Sequence, residues 1–230
     1  MPRASTLQVL GDLAEEQWGL FTKRQAESTG MAWTTLARLA RQGGAERVAP
    51  GVYRLRGSPS DQHLALRAAW LQLAPDTPAW ERQPEQGTVS HRSAAALFGL
   101  GHLPADEHYF TLPTRRQTRR ADVHLRLARL RADDWTRRAG ILVTRPARTI
   151  ADLLADLEDP GAVARVAADA LRSSADMPDA VARALARHAS RFGLRRADAI
   201  GALAWLLDLA DAPERASWLD EARATLMPDN

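Results

Sequence analysis

Arg38 and Arg41 stand one helical turn apart in the stretch from Ala32 to Gln42. There Leu36, Leu39 and Ala40 fall on one side of a helical repeat, and Trp33, Thr34, Ala37, Arg38 and Arg41 fall on the other. A guanidinium on an exposed helix face offers two parallel donors, the geometry that a guanine edge presents acceptors for in a DNA major groove. Arg38 is placed for that contact, Thr34 and Thr35 reach bases or phosphates, and Arg41 falls nearer the backbone. Trp33 either meets a thymine methyl or is half-covered by a preceding helix. Lys23 and Arg24 lie at a helix start, where backbone N–H groups and the helix dipole already favour a phosphate. Arg47 and Arg54 flank a turn and are expected on sugar-phosphate or in the minor groove. The plain alternative for Arg38 and Arg41 is a solvated helix face.

Elements that would hold these residues can be read on either side. Leu7, Leu10, Leu13 and Ala14 recur at helical spacing, predicting a helix from Thr6 to about Gln17 that Gly19 ends. Thr22 is an N-cap for a second short helix with Ala26 buried, broken at Gly30. After the helix over 32–42, Gly43-Gly44 stops it. Glu46–Ala49 and Val52–Leu55 then form two β-prone segments around Pro50-Gly51, a hairpin or wing. Helix, glycine turn, helix and wing within about fifty residues predict a winged helix-turn-helix. Gly57-Ser58-Pro59-Ser60 reads as a linker, giving a DNA-binding domain over 1–57 and a second domain over 61–230. The second opens with an amphipathic helix from Asp61 to about Leu73 and a Pro- and Gln-rich loop to Gly87. It continues with a strand end at Val89, a helix from Arg92 to Phe98 capped by Ser90, and strands over His108–Leu112, Asp122–Leu127 and Ile141–Val143. A helix from Pro146 to Leu157 follows. Mixed α/β character runs to about 157, and 160–226 is helical with breaks near Ser174, Gly193 and Pro213. The fold class is therefore α+β.

Composition narrows the chemistry. The chain has 230 residues, 45% of them hydrophobic, and no run of 18 apolar residues that would span a membrane. Asp12, Glu15 and Glu16 interrupt the N-terminus where a signal peptide needs its apolar run, so a cytoplasmic protein is expected. The absence of cysteine removes disulfides, thiolate nucleophiles and zinc fingers of the usual type. Lys23 is the single lysine. Charge is segregated: residues 1–56 carry +3, 57–110 carry −3, 111–148 carry +8 and 149–230 carry −5. A basic middle beside an acidic tail is either a polyanion-binding face or internal pairing between the segments.

Within that middle lies a loop containing Arg115, Arg116, Arg119 and Arg120, which is either a second phosphate-binding element or a solvated hairpin tip. It has no aromatic interleaving for stacking single strands. His91, His102, His108 and His124 match no ligand spacing, so neither a metal nor another cofactor is expected. Ser90-His91 invites a nucleophile–base reading, but adjacent residues at a helix start do not usually face one another, so no enzyme is expected.

Four stretches together resemble the AbiEi family of antitoxins from type IV toxin-antitoxin systems. They are Phe21-Thr22-Lys23-Arg24-Gln25-Ala26 through Gly30; Arg47-Val48-Ala49-Pro50-Gly51-Val52-Tyr53; Ser90-His91-Arg92-Ser93-Ala94-Ala95 with Phe98-Gly99-Leu100; and Val143 through Asp152. The resemblance implies a winged helix that represses its own operon on double-stranded DNA and a C-terminal domain that opposes a nucleotidyltransferase-like toxin without a stable complex. Similar middle motifs also precede Vsr-like nuclease domains, whose Glu-x-Lys this chain lacks, since no lysine follows Lys23. The alternatives are a lone winged-helix regulator sensing a ligand or partner through its C-terminal domain, and, less well supported, a hydrolase or nuclease of the middle segment.

Overall fold

The computed structural model describes residues 2–59 and 61–227. They form two compact units, Met1–Gly87 with Ala139–Leu142, and Thr88–Arg138 with Val143–Asn230. The architecture is α+β: a winged helix-turn-helix, then a mixed α/β region, then helices to the end.

The first unit opens with α1 (Pro2–Glu15) and β1 (Leu20–Thr22), followed by α2 (Lys23–Ser28) and α3 (Trp33–Arg41). The wing is β2 (Ala45–Ala49) and β3 (Val52–Leu55), and α4 (Leu64–Leu73) comes after it. Leu10 and Ala14 of α1 meet Phe21, Ala26, Met31, Leu36, Ala45 and Tyr53 in one core, which is why α1, α2 and α3 hold together. Leu7, expected on the same stripe, is instead 48% exposed, because the core begins only at Leu10. Strand β1, which the sequence reading did not anticipate, makes the wing a three-stranded antiparallel sheet of order β1-β3-β2. Phe21 lies across from Tyr53 in this pairing, their rings stacked 5.7 Å apart. Pro50-Gly51 turns the hairpin, with Gly51 at φ +73°.

The compact unit runs on well past the expected end at residue 57. Helix α4 packs against all three strands. The Pro- and Gln-rich loop beyond it is closed by Arg82, which is fully buried with its guanidinium 4.4 Å over the Trp70 ring. Arg82 donates to the carbonyls of Trp70, Leu71 (2.7 Å), Ala74 (2.5 Å) and Thr77 (3.3 Å), capping the open end of α4. The Trp70 indole donates to the Gly87 carbonyl at 2.7 Å. The segment Ala139–Leu142 joins the same unit: Ala139 accepts from the Trp18 indole at 3.0 Å. Arg67 lies over the Trp18 ring and pairs with Asp61, and burial lowers it to about 10.

A five-stranded sheet has the order β6-β5-β4-β8-β7. The strands are β4 (Thr88–Val89), β5 (His108–Leu112), β6 (Val123–Leu127), β7 (Trp135–Arg138) and β8 (Ile141–Thr144). β4 runs antiparallel to β5 and parallel to β8, whereas β5 and β6 are parallel, with Tyr109 beside His124 and Thr111 beside Arg126. Helices α5 (His91–Phe98) and α6 (Pro146–Ala155) follow β4 and β8 directly. The rest is helical: α7 (Pro160–Arg172), α8 (Pro178–Ala186), α9 (Ala199–Leu209) and α10 (Arg215–Leu226). Their Ala, Val and Leu faces join Ala95, Ile150 and Leu153 in one continuous core.

Candidate nucleic-acid interface

Helix α2 is set by a complete capping box. Thr22 Oγ1 accepts from Gln25 N at 3.0 Å while Gln25 Oε1 accepts from Thr22 N at 2.9 Å. The same side chains reach the loop after α4, where Thr22 Oγ1 donates to the Pro75 carbonyl (2.5 Å) and Gln25 Nε2 to the Thr77 carbonyl (3.3 Å). Gln17, also fully buried, exchanges amide hydrogen bonds with Gln25 at 3.0 Å and accepts from Ala79 N at 2.7 Å. This buried network is satisfied member by member, as such networks must be to specify one geometry. It fixes α2, and through the shared core it fixes α3.

Leu36 is buried and Leu39 and Ala40 are partly so, which turns Thr34, Arg38 and Arg41 outward. Arg38 and Arg41 have no side-chain partner among the described residues, and Arg47 on β2 is likewise exposed and unpartnered. Thr35 is half-buried. At the N-cap of α3 stands Ala32, which brings no side chain to the first N–H groups of the helix. Trp33 is 49% exposed, and Lys23 Nζ sits 4.6 Å from its ring centre. Lys23 also pairs with Glu27 at 3.5 Å, and Arg24 pairs with Asp76 at 3.4 Å. Both pairs are exposed and so weakly held.

Arg54 is different. It reaches Glu46 at 3.2 Å and donates to the carbonyls of Ser58 and Pro59, both at 2.6 Å, so it ties the wing to the following segment. A cleft of about 740 Å³ runs beside α3 and the wing and gathers Arg41, Arg47 and Arg54. It also contains Arg56, exposed and without a side-chain partner among the described residues, which the sequence reading passed over. Its position two residues beyond Arg54, on the same side of the extended chain, was the available signal.

The remaining candidates lie in the second unit. Because β5 and β6 are parallel, the segment 113–122 is a return crossover and not the tip of a hairpin. Arg115, Arg116 and Arg119 are exposed along it. Arg120 is turned back onto Asp122 (3.0 and 2.5 Å), whose carboxyl it holds below the ordinary range. Ser90 and His91 do face one another, contrary to expectation: Oγ and Nδ1 are 2.9 Å apart. His91 has φ +53°, a left-handed conformation that folds its ring back over the preceding residue. Its Nε2 is 3.5 Å from Asp156. Ser90 is fully buried and His91 nearly so, and burial pushes the imidazole pKa down. His108 and His124 do not meet: in the β5–β6 register His108 is opposite Val123, and His124 is opposite Tyr109, on whose ring it stacks at 4.5 Å. Among the described residues no group of three His, Cys, Asp or Glu could hold a metal ion.

Helices α2 and α3 with the three-stranded wing define a winged helix-turn-helix of the DNA-binding type. Residues 8–56 match the family model described as transcriptional regulator, AbiEi antitoxin, a span that takes in α2, α3 and the wing. The matched span contains the first two of the four resembling stretches; the other two form the starts of α5 and α6, which pack on one another. No curated protein matches the chain. Among solved structures, the crystal structure of the RV2827C protein from Mycobacterium tuberculosis superposes with a TM-score of 0.51 at 18% identity, over 92% of this chain and 78% of that one. At that identity the likeness is one of fold. No helix of the described residues is long and apolar enough to cross a membrane.

Proposed function

We propose that the chain is an antitoxin that represses its own operon, reading double-stranded operator DNA through α3 and opposing a nucleotidyltransferase-like toxin in the cytoplasm without a stable complex. The observation that carries the DNA-binding part is the outward face of α3. Thr34, Arg38 and Arg41 are exposed there, with both guanidiniums unpaired, on a domain matching the AbiEi transcriptional regulators. Arg38 reads a base edge, Thr34 and Thr35 contact bases or phosphates, and Trp33 presents its open face to a thymine methyl. Arg41, Arg47 and Arg56 follow the phosphates, joined by Lys23 and Arg24 once their exposed acid partners are exchanged for phosphate. Arg54 serves mainly to hold the wing. The crossover arginines Arg115, Arg116 and Arg119 add non-specific backbone contact.

A footprint of the DNA upstream of the operon tests the first half, with wild type and Arg38→Ala side by side. Loss of about 1–3 kcal/mol confined to one position is expected for a base-reading arginine. Co-expression with the adjacent toxin gene tests the second half, where restored growth is expected. Failure of both overturns the reading. The runner-up, a lone regulator with a ligand-sensing second unit, is favoured if the neighbouring reading frame encodes no nucleotidyltransferase-like protein.

A further inference from the structure

We propose that the second unit holds an anion site, a cavity where Arg129, Arg131, Arg145, Arg148, Arg183 and Arg187 outnumber the lining carboxylates Asp133, Asp134 and Asp176, and that its ligand is a compact molecule carrying a diphosphate group. The cavity measures about 580 Å³, within the range of small-molecule sites. Three separate parts of the unit supply the guanidiniums: the segment before β7 gives Arg129 and Arg131, the start of α6 gives Arg145 and Arg148, and one face of α8 with the turn after it gives Arg183 and Arg187.

These arginines are not equally engaged. Arg148 is clamped between Asp134 (2.9 Å) and Asp152 (2.8 Å) and is part of the frame. Arg131 pairs with Asp133 at 3.0 Å, but both are more than 70% exposed, and Arg187 meets Asp152 only at 3.6 Å while 52% exposed. Arg183 pairs with Asp179 and is 56% exposed. Such pairs are held weakly enough to re-aim onto a ligand. Arg129 and Arg145 are exposed and have no side-chain partner among the described residues. At the floor, Asp176 Oδ2 accepts from Ala147 N at 2.8 Å, so a carboxylate of the protein already occupies the first turn of α6.

The lining also limits what can bind. Its apolar part is Ala147, Ala180 and Ala184, with no aromatic ring to stack a base and no large aliphatic surface for an apolar body. Guanidinium forks carried on three separate segments of the lining suit two linked phosphates better than one small anion. This site is separate from the winged helix and does not rest on the antitoxin reading.

Titration calorimetry of the full chain with pyrophosphate, at about 150 mM salt to screen diffuse charge, tests it. Saturable binding of one equivalent is expected. Arg129→Ala and Arg145→Ala should each weaken it by about ten-fold or more, with the thermal melt unchanged because neither side chain holds a partner. Arg165→Ala, an exposed α7 arginine that is not part of the lining, should bind as wild type. No saturable binding, or an equal loss in Arg165→Ala, overturns the site. Tighter binding of ATP than of pyrophosphate overturns the compact-anion assignment.

Discussion

Replacing Arg82 by methionine keeps most of the side-chain volume and removes every donor, which isolates what the buried guanidinium does. In the native fold it serves four carbonyls, those of Trp70, Leu71, Ala74 and Thr77. A hydrogen bond from a charged group contributes about 1.5–3 kcal/mol, and a carbonyl left buried without a donor costs about 1–3 kcal/mol. Against this stands the desolvation of the guanidinium, several kcal/mol, which the methionine variant recovers. The net expectation is a loss of about 3–5 kcal/mol, the usual result of removing one side of a buried charged network. Arg82→Lys should restore part of it only, since an ammonium cannot span carbonyls that the planar fork reaches together. Urea unfolding followed by tryptophan fluorescence measures the loss, with amide exchange of peptides from 64–87 showing that it falls on the first unit. A second consequence follows from the same loop. The Pro75 and Thr77 carbonyls accept from Thr22 and Gln25, so operator affinity should drop with the stability of α2. A loss below about 1 kcal/mol would refute the view that Arg82 closes the winged-helix unit.

Other perturbations separate the remaining contributions. Arg47→Ala should lower the slope of log affinity against log salt by about one, as for a lost phosphate contact, whereas Arg54→Ala should act chiefly on the melting temperature, because Arg54 holds the Ser58 and Pro59 carbonyls. Burial lowers the pKa of His91, His108 and His188 below the ordinary 6.5. The unfolded chain therefore takes up protons that the fold refuses, so stability is full above 6.5 and declines as pH falls below it; melts between pH 7.5 and about 5.5 should show this, with a shallower decline in His91→Gln. Gly101→Ala puts a Cβ 2.6 Å from Val166 Cγ2 at φ +62° and should cost about 1–3 kcal/mol, read by urea titration.

How much was legible depended on whether a residue's partner was near in sequence. Helices α2 and α3 and the wing follow from local signals: the Thr22 cap, the Leu36-Leu39-Ala40 stripe, and Pro50-Gly51 between β-prone runs. Strand β1 was not legible, since Leu20-Phe21-Thr22 is too short to alternate and exists only by pairing with β3. The expected boundary after residue 57 rested on Gly57-Ser58-Pro59-Ser60, a composition that marks flexible chain. Yet Ser58 and Pro59 are bound by Arg54, and the unit is closed by an arginine, the residue type that a sequence reading assigns to the surface. The direction of β6 was equally hidden, because alternation gives a strand's faces and not its sense. A ten-residue connection with turn residues suits a hairpin as well as a return crossover.

Of the two readings that the charge segregation allows, internal pairing is visible in the structure. Internal pairing does occur between the basic middle and the acidic tail: Arg126 meets Asp156 at 2.6 Å, and Arg148 meets Asp152 at 2.8 Å. Each of these uses a carboxylate at or just beyond α6, so the pairing is local to that helix and leaves arginines on either side of it unneutralised. Arg129 and Arg145, which belong to the same +8 block, are among those left over, and the fold collects them in one cavity with Arg183 and Arg187 of the acidic tail. Net charge by segment would have assigned Arg183 and Arg187 to a region of the wrong sign. The arginines of that cavity thus come from both segments, so the +8 of the middle block alone does not predict where they gather.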